Sequence, residues 1–304
     1  EAGATAEDIE HAKRKRSLVH GRESAFRINT DITLVDEEGR TLSTKARAKD
    51  ARVSKRKQNP TENFEGHYGP VVCVWSVNDT VLSGSKDNTA YRWHYDSKSQ
   101  AHSCKSVIDG HKNPITAICT NEEALWLGCK DGSVSCRMPG KPPSVLFVQV
   151  HVTALYPSHN EDLVYVGMDD GDVQVLDGFR GDTVGTPLRA HPGASLTAMF
   201  QSEDKKSLVT CGSDGTIRMR ALQKNGKFDK AGETQRVDGH EGGVACMHKF
   251  ADKSCKFVTG GNNGEIKLWD HSTGPILCLK TIPAHSAKIL SVVPTPAGEI
   301  VSCS

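Results

Sequence analysis

The chain has 304 residues, a hydrophobic fraction of 37% and a formal net charge of +1, from 38 basic and 37 acidic residues. That length supports a large core without disulfide staples, and the balanced charge excludes a molecule that attracts polyanions over its whole surface. No apolar run reaches the length of a membrane span, and no signal-peptide h-region follows the basic residues near the N-terminus.

Residues 1–63 read as a basic N-terminal extension. Lys13-Arg14-Lys15-Arg16 is one cluster. Arg40, Lys45, Arg47, Lys49, Arg52, Lys55, Arg56 and Lys57 form a second, opposed between Arg40 and Gln58 only by Asp50. Three readings stand for this arm: a solvated linker, a contact for RNA or a ribonucleoprotein, and a dock for an acidic protein. Aromatic residues are absent from Arg40 to Gln58, so base stacking is not supported. Between the clusters, residues 24–43 alternate through Phe26, Ile28, Ile32 and Leu34, pass Asp36-Glu37-Glu38-Gly39, and continue as Thr41-Leu42-Ser43. They read as a strand that closes a later sheet, a free hairpin, or an irregular arm.

From Phe64 onward the chain repeats. Short apolar runs begin at Val71, Ile115, Val152, Leu196, Val244 and Ile289, 37 to 48 positions apart. A second set of runs follows in phase at Val81, Leu125, Val164, Leu208, Phe257 and Ile300. Each of the first five of these leads into a turn: Asp87-Asn88, Asp131-Gly132, Asp170-Gly171, Asp214-Gly215 and Asn263-Gly264. Such dipeptides supply the positive φ of a tight two-residue hairpin, and a third strand follows. This period, with about four strands per repeat, predicts the blades of an all-β propeller over 64–304.

Gly66-His67, Gly110-His111 and Gly239-His240, with Trp269-Asp270 closing one repeat, resemble the Gly-His and Trp-Asp marks of the WD-repeat (WD40) β-propeller family. Ala190-His191 and Ala284-His285 look like variants of the first mark. The resemblance implies a structural tetrad in each blade: a His, a turn Asp, a strand Ser/Thr and a Trp. Carried over by position, His67, Asp87 and Trp93 match in the first repeat, and His240, Asn263 and Trp269 in the fifth. His111 with Asp131 and His191 with Asp214 lack the Trp, Asp170 lacks the His, and His285 opens the sixth repeat. The resemblance also implies a partner-binding face on the loops at one end of the blades. Its positions here are Tyr68, Lys86, Lys112, Lys130, Met168, Ser213, Asn262 and Lys288.

By the same register, five repeats are complete and the sixth is half present at Ser304, where the family's propellers usually have seven. The His and Asp residues recur once per repeat at one structural place, which argues against a catalytic triad or a metal site. No cofactor and no small-molecule substrate are expected. Ten scattered cysteines without Cys-x-x-Cys spacing read as reduced thiols of an intracellular protein, cytoplasmic or nuclear. The function expected is a non-enzymatic interaction scaffold for other proteins in a multi-subunit complex, its basic arm touching RNA, a ribonucleoprotein or an acidic partner. Two alternatives are a ubiquitin-ligase substrate receptor and a component of a cytoskeletal or ciliary array. For the first, neither Trp93-His94-Tyr95-Asp96 nor Trp269-Asp270-His271-Ser272 carries the expected Trp-Asp-x-Arg.

Overall fold

A computed structural model describes residues 33–35 and 64–304, apart from 65, 78, 99–100, 122–123, 160–162, 179–181, 230–233, 251–254, 273 and 296–297. The two basic clusters of the N-terminal extension lie outside the described residues, as does all of 24–43 except Thr33–Val35. Every described regular element is a β-strand.

The first blade contains β2 (Val71–Val77), β3 (Thr80–Ser85), β4 (Ala90–Asp96) and β5 (Ala101–Ile108). The second contains β6 (Ile115–Thr120), β7 (Leu125–Cys129), β8 (Ser133–Arg137) and β9 (Ser144–Phe147). The third is β10 (Val152–Pro157), β11 (Leu163–Met168), β12 (Asp172–Asp177) and β13 (Thr183–Arg189). The fourth is β14 (Leu196–Gln201), β15 (Ser207–Gly212), β16 (Thr216–Ala221) and β17 (Thr234–Asp238), and the fifth is β18 (Val244–Lys249), β19 (Lys256–Gly261), β20 (Glu265–Asp270) and β21 (Leu277–Pro283).

A sixth, three-stranded sheet joins β1 (Thr33–Val35), β23 (Ile300–Cys303) and β22 (Ser291–Pro294) in that order. In it β1 (Thr33–Val35) pairs antiparallel with β23, Leu34 opposite Val301, and so takes the third-strand place. Two compact units hold these sheets. One, residues 1–29 and 59–118, contains the first blade. The other, 30–58 and 119–304, contains the third to fifth blades and the three-stranded sixth sheet of β1, β22 and β23.

Burial changes from strand to strand within a blade. β11 is buried along its whole length, while β13 exposes most of its residues. A strand covered on both faces needs a continuous apolar run, as Leu163-Val164-Tyr165-Val166 supplies, and an edge strand tolerates the Gly-Thr-Pro of β13. The first strand of a blade carries a recurring bulge: its register slips between Val71 and Cys73, Val152 and Ala154, Leu196 and Ala198, and Val244 and Cys246. One extra residue there adds local twist just where the chain enters each sheet.

The turns between second and third strands differ from the two-residue type expected. Only their last residue has positive φ: Asn88 (67°), Gly132 (81°), Gly171 (85°), Gly215 (78°) and Gly264 (79°). In each, that residue's N–H donates three residues back, as Gly215 does to Gly212 at 3.1 Å. This is a three-residue loop closed by a left-handed residue, so Asp or Asn in front of it need not adopt positive φ. Instead its side chain caps the next strand: Oδ1 of Asp87, Asp131, Asp170, Asp214 and Asn263 accepts the N–H two residues on.

Candidate interaction face

The turn end of the blades is held by hydrogen bonds that pass from one blade to the next. The carbonyls of Gly171, Gly215 and Gly264 accept the N–H groups of His191, His240 and His285 at 2.9, 3.0 and 3.0 Å. Each turn glycine therefore sets the His that opens the following repeat. A Cβ on Gly215 would run into the His240 carbonyl, which restricts that place to glycine.

The imidazoles then lock their own blades. In the first, His67 Nδ1 donates to Asp87 Oδ2 at 3.0 Å, the Ser83 hydroxyl donates to His67 Nε2 at 2.8 Å, and Trp93 Nε1 donates to that same hydroxyl at 2.9 Å. The carboxylate can only accept, which fixes the proton on Nδ1 and leaves Nε2 as acceptor. Burial alone would raise the Asp87 pKa, but hydrogen bonds from Thr89 and Tyr68 and the neighbouring His67 outweigh it and hold it below the ordinary carboxylate value.

In the fourth blade His191 joins Asp214 at 3.1 Å and Thr210 at 3.0 Å, and no tryptophan completes the set. Arg220, at the place of the tryptophan, donates to the Asp229 carbonyl at 2.8 Å. In the fifth, Thr259 joins His240 Nε2 at 2.7 Å and Trp269 Nε1 at 2.8 Å. Asn263 donates its amide to Glu265 at 2.8 Å and lies beside the buried His240 imidazole, with which it also interacts. Burial, with Lys267 nearby, pushes the His240 pKa down to about 4. In the sixth sheet His285 Nε2 meets Ser302 Oγ at 2.8 Å.

The hydroxyls Ser83, Thr210, Thr259 and Ser302 were not assigned from sequence. Their signal is positional: the first three stand four residues ahead of the turn Asp or Asn. Leu127 and Val166 hold that place in the second and third repeats. There Asp131 caps Ser133, Asp170 caps Asp172, and both aspartates are exposed. His111 is half-buried at the start of its repeat. His151 Nδ1 reaches no closer than 3.9 Å to Asp169, one residue before the capping aspartate.

Of the face positions, Tyr68 is 60% exposed, and Lys86, Lys112, Lys130, Ser213, Asn262 and Lys288 are also exposed. Met168 is the exception: at 4% exposure it is the last inward residue of β11. The residue before each turn Asp or Asn is Lys86, Lys130, Asp169, Ser213 or Asn262, so the third blade presents Asp169 there. Met168 stands one residue before Asp169, and along a strand a single step turns the side chain to the other face.

Among the described residues no three His, Cys, Asp or Glu side chains gather for a metal ion. No helix there is long and apolar enough to cross a membrane. The ten cysteines are free thiols. Burial pushes Cys136 up to about 11 and Cys211 to about 12, far from thiolate nucleophiles.

The WD domain, G-beta repeat family matches residues 58–94, 102–136, 181–219 and 232–270. The unmatched stretch from 137 to 180 contains the first three strands of the third blade, the one without a tetrad His or hydroxyl, and its fourth strand falls within 181–219. Among curated proteins, the ribosome biogenesis protein YTM1 of Kluyveromyces lactis is 24% identical over 80% of this chain and 49% of its own length. The ribosome biogenesis protein WDR12 homolog of Drosophila mojavensis is 24% identical over 75% of the chain and 58% of its own. SEC12-like protein 2 of Arabidopsis thaliana is 28% identical over 54% of the chain and 38% of its own. The chain thus spans about half the length of the first two. A chain of a mitotic checkpoint complex crystal structure superposes with a TM-score of 0.62 at 17% identity, covering 76% of this chain and 75% of that one, a likeness of fold.

Proposed function

The chain belongs to the WD-repeat β-propeller family, and from that premise we propose that it is a non-enzymatic scaffold within a multi-subunit assembly that builds ribosomes. The observation that carries this reading is the pair of relatives named for ribosome biogenesis, matched along three quarters or more of the chain. The residue chemistry supports it. The repeated His, Asp and hydroxyl groups are spent on bonds inside blades, so they are poorly placed to act on a substrate. The exposed loop residues Tyr68, Lys86 and Lys112 of the one unit, and Lys130, Asp169, Ser213, Asn262 and Lys288 of the other, suit protein partners. The basic arm from Arg40 to Lys57 would tether the scaffold to RNA or to an acidic subunit.

The test is sedimentation of the tagged full-length protein from cell extract, with and without residues 12–59 and with and without nuclease. The protein is expected to sediment with large particles containing ribosomal proteins and precursor ribosomal RNA, and deletion of 12–59 is expected to loosen that association. Slow sedimentation, with no ribosomal protein recovered, would overturn the assembly reading. Unchanged association without 12–59 would overturn the tether.

A further inference from the structure

We propose that Asn263 deamidates by attack of its own backbone, and that the aspartate so formed completes the hydrogen-bonded set of the fifth blade. The fourth blade supplies the pattern. There Asp214 meets the His191 ring at 3.1 Å and Arg218, four residues on, at 3.3 Å, while Thr210 holds the other ring nitrogen at 3.0 Å. The fifth blade has His240, Thr259 and Lys267 at the matching places, one constant spacing further along the chain. Thr259 holds His240 Nε2 at 2.7 Å, and Lys267 is close enough to oppose charge on the imidazole. Only the carboxylate is missing: Asn263 carries an amide where Asp214 has its second oxygen. A Cβ on Gly212 would touch both His191 Nδ1 and Asp214 Oδ1, and a Cβ on Gly261 would touch both His240 Nδ1 and Asn263 Oδ1. The amide oxygen therefore already occupies the place of a carboxylate oxygen.

Asparagine is thermolabile, and most so before glycine, which puts no Cβ beside the attacking amide nitrogen. Asn263 is exposed, so water can enter and ammonia can leave. The Gly264 nitrogen attacks Asn263 Cγ, the Cγ–Nδ2 bond breaks, and Nδ2 departs as ammonia with the proton that Gly264 gives up. Water then opens the cyclic imide. Its hydroxyl joins Cγ, its hydrogen returns to the Gly264 nitrogen, and the main chain is restored with aspartate at 263. Two features of the turn favour the attack. Oδ1 accepts Glu265 N–H at 3.3 Å and lies beside His240, so donors stand at the oxygen that becomes anionic when Cγ is attacked. Gly264 N–H is also loosely held, at 3.3 Å from the Gly261 carbonyl. The chain's other Asn-Gly pair, Asn225-Gly226, lies in the hairpin bridged by Leu222 and Phe228, where Gly226 N–H donates to Gln223 at 2.9 Å.

The fold selects the ordinary aspartate. The β-linked isomer would insert a methylene into a turn whose Gly264 carbonyl is fixed by the N–H groups of Ala284 and His285 at 3.2 and 3.0 Å. The new carboxylate loses the Nδ2 bond to Glu265 and faces its charge, and the His240 N–H and Lys267 offset that contact. Because ammonia is lost, the step is one-way. It adds a negative charge to the turn face, beside exposed Asn262, as the protein ages.

The full chain, purified and aged in mildly alkaline buffer, is sampled by peptide mass spectrometry, and isoaspartate is counted with isoaspartyl methyltransferase. Residue 263 is expected to gain the mass of an amide-to-acid exchange several times faster than Asn225, chiefly as aspartate. The N263D variant is the product made directly. It is expected to melt above the parent at neutral pH and to show His240 titrating at higher pH by NMR, since a carboxylate beside the ring favours its charged form. Conversion at 263 no faster than at Asn225 would overturn the proposal. So would isoaspartate as the main product at 263, or an N263D protein that melts no higher than the parent or leaves His240 unmoved.

Discussion

At one register of its second strand the fifth blade carries Thr259, and the third carries Val166. Around Thr259 stand a buried His240 and a buried Trp269, both bonded to its hydroxyl. Around Val166 the strand is apolar and fully buried, Val164 and Tyr165 included, and the repeat has no His at the matching place. Both strands hold the same position in a four-stranded sheet, so the tetrad is not a condition of forming a blade. A buried polar set, once present, must be satisfied in full, whereas an apolar set of similar shape needs no partners at all. The polar blade therefore has more to lose from a single change.

Thr259→Val carries the fifth blade halfway to the third and should have the largest effect. It keeps the shape of the side chain but leaves His240 Nε2 and Trp269 Nε1 buried without their partner. Two such orphaned groups cost about 4 kcal/mol together, with a correspondingly large fall in thermal midpoint. Hydrogen exchange of β18 to β20 should rise, and exchange in β10 to β12 should change far less. Equal loosening of both blades, or a loss under about 1 kcal/mol, would mean that the tetrad contributes no more than apolar packing does.

Acid should separate the two blades next. An imidazole whose folded pKa lies below its unfolded value binds more protons when unfolded, so its contribution is present above the unfolded pKa and is lost as pH falls. For His240 that window runs from 6.5 down to about 4, chiefly because burial opposes its charge. A difference of this size corresponds to about 3 kcal/mol lost across the window. His191, also lowered by burial, adds in the same direction. Exchange in the fifth blade should accelerate between pH 6.5 and 4 before that in the third, and His240→Gln should flatten its response. Identical acid sensitivity in both blades would break the comparison.

The repeat itself was legible because strand runs and turn residues mark the blades independently of the tetrads. Val152–Leu155 and Val164–Gly167 announce the third blade even though its His and hydroxyl are missing. The locking hydroxyls were hidden because Ser and Thr are ordinary strand residues, and only their distance from the turn distinguishes Thr210 or Thr259. Met168 was misjudged by one residue because the side-chain period of a strand punishes a single-step error. The hairpin at Leu222–Phe228 escaped notice for a different reason. A single bridge among Gln, Lys, Asn and Gly has no strand periodicity, and its order comes from Tyr165 in another blade.

The smallest effects should come from the turn aspartates, and they test whether the two kinds of blade also differ at their caps. Asp87 accepts from His67, from Tyr68 N–H, and from the N–H and hydroxyl of Thr89. Asp87→Ala strips a charged acceptor from several donors at once and should cost about 2 kcal/mol. Exposed Asp170 caps Asp172 N–H at 3.1 Å, and the pKa of Asp172 is raised by its burial first and by the charge of Asp170 second. Removing it loses one exposed bond and relieves a like-charge contact, so Asp170→Ala should fall within about 0.5 kcal/mol of the parent. The two variants are compared by thermal melting at pH 7. If Asp170→Ala proved as costly as Asp87→Ala, the third blade would depend on its turn as heavily as the first does on its tetrad, and apolar packing would not account for its stability.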